Sequence, residues 1–209
     1  MESYNTIVQE VSAEQTIEKS RFIAHISPVA NLDEVEQHMK KVRQIFPNAR
    51  HYVYAYRLYN GYIEKCSDDG EPQGTGGRPV LDILQHCQLW DVQIIVVRYF
   101  GGILLGTGGL TRAYGRTARL AVDNSTITRM IPHVIYNLKI PYQWFEQTKY
   151  WFSQKGWEWT NEQFTDIVNI DLYVPEKDFS SFEKWIDEVT NKQILWQKVG
   201  SVFKKEFRS

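Results

Sequence analysis

Alternation of apolar and polar residues, and apolar spacing of three and four, divide the chain into short elements. Tyr4 to Val11 and Phe22 to Val29 read as strands around a polar corner at Ser12 to Ser20, flanked by Lys19 and Arg21. Asn31 is placed to cap a helix, with Glu34 in capping-box spacing. Leu32, Val35, Met39, Val42 and Phe46 then form one apolar face, and Pro47 ends it. His51 to Tyr59 alternates as a strand, with Tyr52, Tyr54, Tyr56 and Leu58 on one side. Asn60-Gly61 is a hairpin signal, and Tyr62 to Ser67 reads as the partner strand. Pro79 suits the first turn of a helix whose buried stripe is Val80, Ile83, Leu84 and Cys87. The β-branched run Val92 to Val97 predicts a strand buried on both faces. A helix to about Val122 follows, with Leu110, Ala113, Thr117, Leu120 and Ala121 inward.

Ile127 to Pro141 reads as strand and connector, and beyond it the composition changes. Trp90 is the one tryptophan before residue 140, and Gly156 and Gly200 are the only glycines after it. The later part reads strand, helix, strand, strand, helix, strand. That β-α-β-β-α-β order is the ferredoxin-like pattern. The expectation is an α+β protein of two domains, residues 1–133 and 138–209.

Composition narrows the function classes. The 209 residues carry a net charge of −1, so the chain as a whole is not a basic nucleic-acid binder. Cys66 and Cys87 are too few for a disulfide framework and predict reduced thiols in a cytoplasmic protein. Met1 to Ser12 lacks the basic and apolar regions of a signal peptide, and no run has the length of a membrane span.

The chemistry concentrates between Ser67 and Arg119. Gly74-Thr75-Gly76-Gly77 precedes one helix, and Gly106-Thr107-Gly108-Gly109 precedes the next. Amide groups at such helix starts favour anions. Arg78, Arg98, Arg112 and Arg116 lie beside these glycines, and guanidinium forks match phosphate. The candidate anion or nucleic-acid site is therefore Gly76, Gly77, Arg78, Arg98, Gly101, Gly102, Gly108, Gly109, Arg112 and Arg116. No Gly-Lys-Ser/Thr follows either tetrad, which excludes a P-loop, and no dinucleotide fingerprint follows the strand. Asp68, Asp69 and Glu71 are candidate Mg²⁺ ligands beside bound phosphate; no other cofactor is expected. No His-Glu-x-x-His or Cys-x-x-Cys spacing occurs, which argues against a transition metal.

These residues carry a resemblance. Asp68-Asp69-Gly70-Glu71-Pro72 with the first tetrad is similar to the IMPACT family in its bacterial form. So are Val96-Val97-Arg98-Tyr99-Phe100-Gly101-Gly102, Leu105 to Leu110, and Arg112-Ala113-Tyr114-Gly115. Lys19 to Ile23 and Ala49 to Arg57 also fit, and the resemblance covers the whole chain. It implies a first domain like the second domain of small-subunit ribosomal protein five. It implies a second domain like the last domain of elongation factor G. Both point to the translation apparatus. Eukaryotic members restrain an amino-acid-starvation kinase by binding its coactivator, through an added domain absent from this sequence.

Each feature has a plainer alternative. The tetrads serve equally as turns for close helix packing, and the acidic run as a solvated turn. The tyrosine stripe reads as core beneath the Leu32–Phe46 helix rather than as a base-stacking surface. Trp157 and Trp159 would form a stacking platform only if exposed. The leading expectation is a non-enzymatic module that binds RNA or the ribosome, with the second domain contributing its open sheet face. The rivals are a Mg²⁺-dependent enzyme on a phosphorylated substrate and a protein–protein adaptor. A membrane partner is not expected.

Overall fold

The computed structural model describes residues 1–206 as a mixed α/β protein in two compact units. Tyr4–Arg129 forms the first; Met1–Ser3 and the chain from Met130 onward form the second. In chain order the elements are β1 (Tyr4–Ile7), β2 (Val11–Ile17), β3 (Ser20–Pro28), α1 (Leu32–Ile45), β4 (His51–Leu58), β5 (Ile63–Ser67), α2 (Gly77–His86), β6 (Val92–Tyr99) and α3 (Gly106–Asp123). They continue as β7 (Ile127–Ile140), α4 (Tyr142–Lys155), β8 (Glu158–Phe164), β9 (Val168–Pro175), α5 (Phe179–Val189) and β10 (Leu195–Lys205).

The first unit is built on the sheet β2-β3-β6-β4-β5, antiparallel at every pairing. The β-branched strand β6 is central and buried on both faces, as its unbroken apolar run predicts. One face packs Ala24, Ile26, Val53, Ile94 and Val96 against α2 and α3. On the other face Tyr52, Ile95 and Val97 pack against Val42 of α1, and Tyr56 packs with Val35. The tyrosine stripe is therefore core. Asn31 Oδ1 caps α1 by accepting from Glu34 N as expected, while the Glu34 carboxylate accepts from Asn31 Nδ2 and from Ala30 N, one residue before the amide a capping box uses.

Two readings differ from the sequence. The polar corner at 12–20 is largely strand β2. Its inward positions Val11, Ala13, Gln15 and Ile17 are half-buried, while Ser12, Glu14 and Thr16 face solvent. An edge strand with a polar outer face shows too few apolar residues to stand out. The strand expected from residue 134 is present, but where a connector was expected before it β7 runs unbroken, Ile127–Ile140. Val134, Tyr136, Leu138 and Ile140 are buried on one face of β7, which pairs continuously with β9 there and with β10 around a register shift between Lys198 and Gly200.

In the second unit the strands run β10-β7-β9-β8, and α4 and α5 cover one face. Phe145 and Phe152 of α4 and Phe182 and Ile186 of α5 meet Tyr136, Leu138, Ile170 and Leu172 of the sheet. Trp157 is buried and Trp159 packs against the same core, so neither forms a stacking platform. On the open face Asp171 accepts from Asn137 and Asn161, and Lys204 lies over the Tyr173 ring while pairing with Glu158. No helix of the described residues is long and apolar enough to cross a membrane.

Candidate functional site

Both glycine loops lie at one end of the first sheet. β5 and β6 are each antiparallel to β4, so they run parallel to each other and finish at the same end. The β2–β3 turn arrives there too, since Arg21 pairs with Tyr99. At Gly101 the loop after β6 touches this turn. A Cβ there would lie 2.0 Å from the carbonyl carbon of Lys19, a distance no side chain tolerates. The Gly101 amide donates to Ser20 Oγ at 3.1 Å, and Ser20 is fully buried.

The first tetrad is already filled. Asp68 Oδ1 accepts from Gly76 N at 2.9 Å and Gly77 N at 2.8 Å, and Oδ2 accepts from Gly74 N at 2.8 Å. Partial burial pushes the Asp68 carboxyl up. The three N–H groups together outweigh it and hold it below the usual carboxylate range. The anion expected at Gly76 and Gly77 is thus the protein's own carboxylate. Gly77 serves packing: a Cβ would lie 2.7 Å from the Ser67 backbone.

Glu71 ties this loop to the rest of the unit. Its Oε1 accepts from Arg98 Nη1 at 2.6 Å and from the Tyr114 hydroxyl at 2.7 Å, with His51 Nε2 3.7 Å away. All of this is nearly solvent-free. Burial, then the bond to Glu71, drives the Tyr114 hydroxyl far above its ordinary range, so it remains a donor. Arg98 is therefore an internal ion-pair partner and not an anion-binding surface residue. Asp69 accepts from Tyr52 N at 2.6 Å and faces Arg43. The three carboxylates proposed for Mg²⁺ are each committed elsewhere: Asp68 to amides, Asp69 to the β4 backbone, Glu71 to Arg98. Among the described residues no group of three acidic, histidine or cysteine side chains is placed to hold a metal.

The second tetrad is different. It forms the first turn of α3, which contains no acidic residue and whose cap makes no side-chain hydrogen bond. Beside it lies an open cleft of about 700 Å³, lined by Ile17, Glu18, Ile103, Leu104, Gly109, Arg112 and Arg116 among others. Arg112 and Arg116 are exposed. Neither has an ion pair or hydrogen bond among the described residues. Arg119, three residues on, pairs with Asp123 at 2.8 Å and leaves the stripe.

The matched sequences span this site. Residues 18–122 match the Impact N-terminal domain, and residues 138–193 match a domain of unknown function, DUF1949. The chain is 34% identical over 192 residues to IMPACT family member YvyE of Bacillus subtilis, covering 91% of this chain and 88% of that one. The chain belongs to the IMPACT family. Its similarity to IMPACT family member YigZ of Escherichia coli is 31% over 185 residues, covering 87% of this chain and 91% of that protein. Protein IMPACT-A of Xenopus tropicalis is 37% identical over 97 residues, 44% of this chain and 30% of that one. A solved structure described as the crystal structure of a hypothetical protein superposes with a TM-score of 0.68 at 29% identity. It covers 95% of this chain and 98% of its own.

In this IMPACT-family chain the ten sequence-predicted residues do not converge on one site. Gly109, Arg112 and Arg116 line the cleft. Gly108 precedes it in the same helix turn, and Gly101 and Gly102 shape the loop leading in. Arg78 pairs with Asp82 at 2.7 Å along α2, and Gly76, Gly77 and Arg98 belong to the internal network. The sequence reading missed Glu18, Ile103 and Leu104. Leu104 is 87% exposed. The available signal was Ile103-Leu104-Leu105 inside a glycine-rich loop, of which Leu105 packs on the core while Leu104 stays exposed.

Proposed function

We propose that this IMPACT-family protein is an RNA-binding, translation-linked module of the cytoplasm, with no catalytic role assigned to the site. We read its first unit as the fold of the second domain of small-subunit ribosomal protein five, and its second as ferredoxin-like. The strand order β10-β7-β9-β8 under two helices supports the latter. The observation that carries the function is the pair Arg112 and Arg116, exposed and unpaired on one face of α3 and facing an open cleft. They stand one helical turn apart, about 6 Å along the axis. Unpaired guanidinium groups at that spacing suit consecutive phosphates, and their binding would be salt-dependent. The contact lies in the first unit; on the open face of the second, Asp171 and Lys204 are each engaged with neighbouring side chains.

The test is a titration of RNA with the full chain at several salt concentrations, beside Arg112→Ala/Arg116→Ala. The double variant should bind more weakly whatever the sequence, and its salt slope should fall by about one unit per lost contact. Equal affinities and slopes refute the role of α3. Co-sedimentation with ribosomes at two salt concentrations tests the translation link.

A further inference from the structure

The cleft is not uniformly basic. One wall is aliphatic, from Ile17, Ile103 and Leu104, and another is cationic, from Arg112 and Arg116. Glu18 adds a carboxylate, and among the described residues it has no ion pair or hydrogen bond although two unpaired arginines line the same space. Glu18 is also held in place by its backbone. Glu18 and Lys19 occupy the left-handed region, with φ 45° and 62°, and the Lys19–Ser20 link is seated on Gly101.

Resting on the RNA-binding reading, we propose that this cleft takes an unpaired nucleotide and that Glu18 selects guanine. A purely phosphate-binding surface has no use for a carboxylate, which would repel the backbone, nor for an aliphatic wall with Leu104 almost fully exposed. A nucleotide with a free base uses all three walls. Its phosphates meet Arg112 and Arg116, and its flat faces cover Ile103 and Leu104. Its pairing edge meets Glu18. An ionised carboxylate is an acceptor at both oxygens. Guanine offers two adjacent donors on its pairing edge, N1–H and the exocyclic amine. Adenine and cytosine set their amine beside an acceptor, and uracil sets one N–H between two carbonyls. In a duplex these edges are already paired, and sequence-specific RNA recognition targets unpaired bases. The volume of about 700 Å³ lies within the roughly 300–1,000 Å³ of sites for small organic ligands.

The test uses the full chain and labelled single-stranded RNA hexamers identical except for one central base, with a duplex of the guanine hexamer alongside. Wild type should bind the guanine hexamer about five- to tenfold tighter than the uracil hexamer, the low end for a bidentate base contact, and tighter than the duplex. Glu18→Gln should remove the preference and keep the salt slope, because no phosphate contact is lost. Arg112→Ala/Arg116→Ala should weaken all four hexamers alike and flatten the slope. Equal binding of the four hexamers, a preference that survives Glu18→Gln, or duplex binding at full strength overturns the guanine assignment. In each of those cases arginine-dependent, salt-sensitive binding would leave the RNA reading standing. Absence of arginine-dependent RNA binding overturns both, and assigns the aliphatic tip to a protein partner.

Discussion

Glu71→Ala should unfold the end of the sheet on which the cleft is built. The variant removes the carboxylate that accepts from Arg98 at 2.6 Å and Tyr114 at 2.7 Å. Side-chain exposure is only 6% at Arg98 and 4% at Glu71, so water cannot replace the lost partner. Arg98 Nε is already buried without an acceptor, which leaves the guanidinium more dependent on Glu71. Removing one member of a buried ion pair typically costs about 3–5 kcal/mol, because the other charge stays buried. Arg98→Ala should cost a similar amount. Arg98→Met with Glu71→Leu should cost much less than the sum of the single losses, since the desolvation penalty disappears with both charges. The assay is urea denaturation of each variant, with hydrogen exchange of β4 and β6 amides assigning the loss to the first unit. Glu71→Ala at wild-type stability, or a double variant as unstable as the sum of the singles, refutes the reasoning.

Gly101→Ala should cost at or beyond the upper end of the roughly 1–3 kcal/mol seen for overpacking, because the added Cβ meets the Lys19 backbone at 2.0 Å and no side chain can move aside; a thermal midpoint within a degree of wild type would contradict it. The buried chain His25–His38–Gln93, linked at 2.8 Å twice, should make stability pH-dependent. Burial first, eased by the Gln93 contact, pushes His38 from 6.5 to about 4, and burial also lowers His25. The unfolded chain then binds more protons between those values, so stability is full above about pH 6.5 and falls as pH drops toward 4. For His38 alone the loss is about 3 kcal/mol, from 1.36 kcal/mol per unit. His38→Gln should flatten this part of the profile, and an unchanged slope refutes the assignment.

The sequence by itself determined the local elements and the family. The Asn31 cap and the β-branched run of β6 act within a few residues, so pattern reveals them. It also pointed to a candidate region, since the two Gly-Thr-Gly-Gly tetrads and their arginines stand out without coordinates. It could not separate the tetrads. They are identical in sequence, yet Asp68 fills the first and no side chain caps the second, because the filling group arrives from the preceding turn. Arg98 and Arg112 likewise looked alike beside their glycines. Only tertiary structure buries Arg98 against Glu71, 27 residues away in sequence, and leaves Arg112 facing an open cleft. Glu18 and Leu104 belong together only through the contact of Gly101 with the β2–β3 turn. Spacing encodes what a helix or strand does with its own neighbours. Pairing of distant charges and the meeting of two loops depend on the sheet order, and that is decided by the packing of the whole unit.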